Sequence, residues 1–184
     1  LPIIIHGDAA IAGQGIGQEI IQMSLLEGYS NNGSIHFVIN NQIGFTTDWD
    51  DARSSDYCTA IANMLNCPVL HVNGDSAEDI VFACQMAAEY RMKFKKDIFI
   101  DMVCYRKHGH NESDDPKYTQ PELYSLISKK KNPRDIYAEY LSGQGSVEAD
   151  IVKKLDKELY DDLQNKLNKV KEESKDYVYR PHEK

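Results

Sequence analysis

Two short segments, IIIHGDAAIAGQGIGQE at residues 3–19 and IHFVINNQIGFTTD at residues 35–48, each end an apolar, β-branched run in oxygen-bearing side chains. In the first, Asp8 follows the run and small residues and glycines follow Asp8; in the second, Asn40 and Asn41 stand side by side. A carboxylate at a strand end, before a glycine-containing turn into a helix, can coordinate a hard divalent cation while backbone amides of the turn face phosphate oxygens. Taken alone, an Asp in that place serves equally well as a helix cap. The second segment strengthens the ligand reading. Asn41 comes 33 positions after Asp8, a length suited to strand end, helix and return strand, so both side chains are expected at one sheet edge. The main-chain oxygen of Ile43 would add a third ligand, and a six-coordinate Mg2+ would complete its shell from a diphosphate and water.

Other patterns carry less. Gly13-Gln14-Gly15-Ile16-Gly17 is G-x-G-x-G, not the G-x-G-x-x-G of a dinucleotide site, and it lies too far beyond the strand-ending Asp; no nicotinamide site is expected. His108 and His110, two apart and without neighbouring thiolates, make a poor zinc pair. Cys58, Cys67, Cys84 and Cys104 show no C-x-x-C spacing and sit in apolar or helical patterns, which predicts buried free thiols and a reducing compartment.

These candidates need a scaffold, and the hydropathy pattern supplies one. Residues 2–6, 35–40, 68–72 and 98–105 read as strands, the first of them buried on both faces. Helices are expected over 14–27, ending at Gly28, and over 57–65. A third should run from an N-cap at Ser76 to about residue 94, with Ile80, Val81, Cys84, Ala87 and Ala88 inward. Alternating strands and helices imply βαβ crossovers, hence an α/β fold: a mostly parallel sheet with helices on both faces. Ligands then collect at the carboxyl ends of the strands. Beyond residue 122 the pattern changes to short helices, a break at 142–146, and one long amphipathic helix over 147–173 whose narrow stripe should pack on a neighbour.

Composition restricts the function classes. With 21 Lys and Arg against 29 Asp and Glu, net charge −8, the chain lacks the basic surface that nucleic-acid binding requires. No apolar stretch is long enough to span a bilayer and no signal-peptide pattern opens the chain, so a soluble protein is expected. The start in mid-strand at Leu1 suggests a piece of something longer.

At HGDAAIAGQG and VINNQIGFTT the chain resembles the thiamine diphosphate and magnesium motif, usually Gly-Asp-Gly, about thirty residues, then Asn-Asn. From DARSSDYCTAIANML through YRKHGHNESDDPKYTQPELY it resembles the E1 component of the 2-oxoglutarate dehydrogenase complex. The likeness runs from Leu1 to about Leu141 and weakens in the tail. Ala9 replaces the motif's second Gly, as that branch of the wider class would have it.

The resemblance implies specific roles. Asp8 and Asn41 become side-chain ligands of Mg2+, Ile43 gives its main-chain oxygen, and Ala9 and Ala10 lie against the diphosphate of thiamine diphosphate. His110 approaches the phosphate side and the active-site entrance, as the catalytic candidate; His108 and His6 are weaker candidates, with His6, one residue inside the strand end, suited to orienting the site. Also implied are a 2-oxo acid substrate, a lipoyl-bearing E2 succinyltransferase, the remainder of an E1 chain, and a homodimer in a bacterial cytoplasm or mitochondrial matrix. Residues 1–128 would form the cofactor-binding α/β domain and 129–184 a helical extension. The segment would be inactive alone. A 2-oxoadipate dehydrogenase E1 would share these motifs, and a non-catalytic α/β interaction domain using the long helix is a reading from a different class.

Overall fold

The computed structural model describes residues 1–174; residues 175–184, the end of the expected helical extension, lie outside the described residues. Contacts divide the chain into two units, Leu1–Pro133 and the residues from Arg134 onward.

In the first unit, β1 (Ile3–Gly7) runs into two short helices, α1 (Asp8–Gly13) and α2 (Gly15–Met23), and the chain returns as β2 (Ile35–Asn40). A small hairpin follows, β3 (Ile43–Gly44) and β4 (Thr47–Asp48), then α3 (Trp49–Ala52) and a 3-10 helix at Cys58–Leu65. β5 (Val69–Asn73), α4 (Ala77–Phe94), β6 (Ile98–Val103) and α5 (Pro121–Ile127) complete it. β1, β2, β6 and β5 lie in that order in one sheet, every pairing parallel, while β3 and β4 pair antiparallel. The registers Gly7↔Ile39, Asn40↔Val103 and Asn73↔Val103 bring the carboxyl ends of the four strands level.

Side-chain alternation gives the sheet two apolar faces. On one, Val38 and Phe99 pack with Ile11 of α1, Ile21 of α2 and Cys58 and Ala62 of the 3-10 helix. On the other, Ile35, Val72, Ile98 and Ile100 pack with Ala83 and Ala87 of α4. The α/β architecture expected from the sequence is therefore the one observed. The start of β2 is pinned from the second face: buried Arg91 of α4 donates from Nε to the Gly33 carbonyl at 2.8 Å and from Nη2 to the Asn31 carbonyl at 2.9 Å. Gly33 itself has φ +90°, and a Cβ there would run into the Lys96 backbone, so only glycine fits this crossing.

Several expectations need correction. β1 is not buried on both faces: Ile3 and Ile5 are 57% and 68% exposed, because β1 is an edge strand and α4 lies over the other strands of the sheet. The helix expected over 14–27 is two helices. It begins at Asp8, breaks at Gln14, whose backbone is extended between Gly13 and Gly15, and stops at Met23, after which Ser24 Oγ donates back to the Ile21 carbonyl at 2.8 Å. Ser76 occupies the N-cap position of α4 without a side-chain capping bond. Val81 points outward, 56% exposed, since Ala83 and Ala87 centre the buried stripe. The segment after Tyr57 winds as a 3-10 helix, and β6 ends at Val103.

The second unit contains α6 (Pro133–Gly143) from its second residue onward, and α7 (Ala149–Glu173). Arg134 Nη1 bonds Asp156 at 2.6 Å, and Lys166–Asp162 and Lys169–Glu173 are spaced to support α7. The stripe of Leu155, Leu159, Leu163, Leu167 and Val170, expected to pack, is exposed. No described helix is long and apolar enough to cross a membrane.

One buried polar array lies inside the first face. The His36 ring stacks on Phe99 at 4.4 Å, its Nδ1 lies 3.0 Å from His6 Nε2, and its Nε2 lies 4.0 Å from Asp97 Oδ2. Burial pushes the His36 pKa from 6.5 down to about 4, against the partial pull of the Asp97 carboxylate. The unfolded chain therefore binds a proton that the folded one refuses, and stability falls as pH drops through that window. Urea unfolding between about pH 6.5 and 4 should lose on the order of 3 kcal/mol from this group. His36→Gln should flatten that slope; an unchanged slope in the variant would contradict the assignment.

Candidate functional site

The level strand ends place Asp8 and the Asn40–Asn41 pair at the same rim. Asp8 is the first residue of α1, directly after β1, and only 3% exposed. The backbone N–H groups of Asp8 itself, Asn41 and Ala9 lie near enough to its carboxylate to favour the charged form. Desolvation by burial raises its pKa above 3.8, while those N–H groups and the Arg53 charge hold it back. The Asn41 backbone N–H is thus a near neighbour of the Asp8 carboxylate.

Arg53 is the cation opposite. It follows α3, its side chain is 9% exposed, its guanidinium lies over the Trp49 ring at 5.5 Å, and its Nη1 stands 3.8 Å from Asp8 Oδ2. That separation is an ion pair longer than a hydrogen bond. Its Nε is buried and has no hydrogen-bond partner among the described residues.

The turn after β2 separates the work of the two asparagines. Asn40 is structural: its Nδ2 donates to Asp101 Oδ1 at 3.0 Å and its Oδ1 accepts from the Gln42 N–H at 3.3 Å. Asp101, wholly buried, also has His71 Nδ1 3.0 Å from its Oδ2, and the Tyr57 ring lies 4.4 Å from the His71 ring. Asn41 Oδ1 accepts from the Ile43 N–H at 3.2 Å, which leaves lone-pair capacity for a further partner. Gln42, at φ +64°, ties the turn to the Cys104 carbonyl through Nε2 at 2.8 Å. Gly44 then passes so close to α1 that a Cβ would sit 2.9 Å from Ala9 Cβ. Ala9 is exposed and Ala10 half-buried at the start of α1.

The loop after β6 meets this group at the hairpin. Arg106 Nη2 donates to the Phe45 carbonyl at 2.9 Å, and Gln120 Nε2 donates to the Thr46 carbonyl at 3.2 Å. His110 is exposed, with its N–H on Asp114 Oδ2 at 2.7 Å and its ring 4.9 Å from Phe45; it joins the group through Phe45. His108 contributes its carbonyl, which accepts from Arg106 and Tyr124. His6 is turned to His36 on the sheet face, so its part is in the buried array and not at the strand tips.

Among the described residues no group of three His, Cys, Asp or Glu is arranged to hold a metal ion by itself. The candidate donors, the Asp8 carboxylate, the Asn41 amide oxygen and the Ile43 main-chain carbonyl, are all hard oxygens. Such a set suits Mg2+ only if a diphosphate and water complete the shell. The orphaned Arg53 Nε suits an anionic oxygen in the same place. The sequence reading missed Arg53, because within DWDDARSSD an arginine looks like part of a solvated charged stretch. The spacing of Trp49 and Arg53, one helical turn apart, was the only hint.

Comparison with known proteins gives one family match and three relatives. The profile of a family described as dehydrogenase E1 component matches residues 1–178. The chain is 51% identical to the 2-oxoglutarate dehydrogenase E1 component of Haemophilus influenzae over 90% of its length and 18% of that protein's. It is 47% identical to the 2-oxoglutarate dehydrogenase E1/E2 component of Corynebacterium glutamicum over 95% of the chain and 14% of the relative. The mitochondrial 2-oxoglutarate dehydrogenase of Schizosaccharomyces pombe is 46% identical over 95% of the chain and 17% of the relative. The chain therefore spans less than a fifth of the length of these relatives.

The raised pKa of Asp8 has a measurable consequence in the metal-free protein. The folded state holds the Asp8 proton more tightly than the unfolded state, so ionisation costs stability once pH rises above the ordinary value of 3.8. Asp8→Asn should melt at a higher temperature than the unsubstituted chain at pH 7 in chelator, with the two curves converging near pH 3. A variant that melts lower at pH 7 would show that Asp8 is held charged by its partners.

Proposed function

The chain belongs to the dehydrogenase E1 component family, and on that premise we propose that it is the segment of a 2-oxoglutarate dehydrogenase E1 that grips the diphosphate of thiamine diphosphate through Mg2+. The observation that supports the reading is the meeting of Asp8 and Asn41 at the level ends of β1 and β2: the Asn41 backbone N–H lies near the Asp8 carboxylate, while Asn41 Oδ1 accepts from the N–H of Ile43. Asp8 and Asn41 Oδ1 would take the metal's charge, the Ile43 carbonyl would complete the protein's share, and Ala9 and Ala10 are small enough to let the diphosphate approach the backbone. When bound, the cofactor supplies the electron sink for loss of carbon dioxide from a 2-oxo acid. His110 would be the catalytic side chain of this segment, handling protons at the entrance; its exposure on the loop beside Phe45 supports that role.

The whole enzyme would decarboxylate 2-oxoglutarate oxidatively and pass the succinyl group to a lipoyl-bearing E2 succinyltransferase. The names of the three relatives support the substrate, and the E1/E2 name of the Corynebacterium relative supports the partner. Apolar side chains exposed on β1 and α4 support assembly with the rest of an E1 chain and with a second copy as a homodimer. By itself the segment binds and does not turn over.

Calorimetric titration with Mg2+ and thiamine diphosphate tests this reading. The chain should bind the cofactor only with the metal, and Asp8→Ala or Asn41→Ala should weaken binding by roughly 100-fold, the cost of removing one ligand of a buried charge. His110→Ala should leave that binding intact and lower turnover when the rest of the enzyme is supplied. Binding that ignores metal and both ligand substitutions would remove the proposal.

A further inference from the structure

Arg53 occupies a place that charge balance alone explains poorly. It is nine-tenths buried, yet among the described residues its only salt bridge is the 3.8 Å contact with Asp8, and its Nε finds no hydrogen-bond partner there. Burying a guanidinium donor without an acceptor costs free energy comparable to a lost charged hydrogen bond. The Trp49 face, 5.5 Å away, stabilises the charge but accepts no N–H in the guanidinium plane. The arginine therefore sits beside the carboxylate that would hold a metal, with a buried donor that no described residue satisfies.

We propose that Arg53 is a diphosphate-binding residue that couples metal and cofactor: it screens Asp8 in the unloaded protein, and its unused donor is taken by an oxygen of the diphosphate. This rests on the cofactor reading above. The electrostatics give it a definite sign. Mg2+ arriving alone meets a carboxylate already neighboured by a cation, so the guanidinium and the metal repel across a few ångströms of buried space. A diphosphate arriving alone meets Arg53 but also the negative Asp8. When both arrive, four charges alternate in sign: carboxylate, metal, diphosphate, guanidinium. Each ligand then raises the affinity of the other, and linkage makes the factor the same in both directions. The planar fork of Arg suits the diphosphate oxygens, which a lysine would meet through a single point charge.

The test is a set of calorimetric titrations of the full chain with Mg2+ alone, thiamine diphosphate alone, and each in the presence of the other. For the unsubstituted chain, Mg2+ alone should bind weakly and the cofactor should tighten it by about tenfold or more. Arg53→Gln should bind Mg2+ alone several-fold more tightly, bind the cofactor with Mg2+ at least about tenfold more weakly, and lose most of the coupling. Its melting temperature, lowered by the uncompensated Asp8, should recover with Mg2+ alone, a response that a merely structural role for Arg53 would not give. Arg53→Lys, which keeps the charge, should leave Mg2+ alone as weak as before and recover part of the coupling; this variant carries the test if Arg53→Gln fails to unfold cooperatively. Unchanged coupling in Arg53→Gln, or tighter binding of Mg2+ alone in Arg53→Lys, would overturn the inference and leave the cofactor reading standing. Absence of metal-dependent cofactor binding in the unsubstituted chain would remove both.

Discussion

The parallel pairing of β1 with β2 is the constraint on which the rest depends. Because Gly7 stands opposite Ile39, the residues just beyond the two strands leave the sheet at the same level, and a carboxylate 33 positions away from an amide in sequence becomes its neighbour in space. Parallel strands require a crossover, and α1 and α2 provide it while covering the sheet with Ile11 and Ile21. The packing that stabilises the fold and the geometry that builds the rim are thus consequences of one pairing.

The rim is held from behind by polar groups that face no solvent. Asp101 has no exposure and fixes the Asn40 carboxamide, which in turn receives the Gln42 amide, so the turn carrying Asn41 and Ile43 is fastened to β6. Gln42 fastens it a second time at Cys104. Loops near ligands need rigidity of this kind, because a donor displaced by an ångström no longer meets its partner. The close passage of Gly44 against Ala9 adds a steric stop on the other side.

Much of this was legible in the sequence, for identifiable reasons. β2, β5 and β6 are short apolar runs between turn residues, and α4 is long enough that its periodicity survives the polar positions; these were found with small errors at their ends. The rim was legible because Asp8 and Asn41 close two such runs at a distance a single crossover can span. What escaped depended on tertiary context. Glycines on both sides of Gln14 gave no sign of which would break the helix. Residues 43–48 are too few for a pattern, so the hairpin went unseen. The burial of β1 was overestimated because an apolar strand at a sheet edge reads the same as one at the centre. Arg53 was missed because burial of a charged residue leaves no mark in local composition.

The free edge of β1 has a consequence for how the molecule behaves in concentrated solution. Among the described residues this strand pairs only with β2, and it carries Ile3 and Ile5 on its open face. A row of unsatisfied main-chain groups beside isoleucines is a template on which chains adhere side by side. Mutual repulsion between molecules bearing a charge of −8 opposes that adhesion at a distance, and added electrolyte shortens its range. Colloidal behaviour is thereby tied to ionic strength: dilute buffer keeps the chains apart, and brine lets their sticky borders meet.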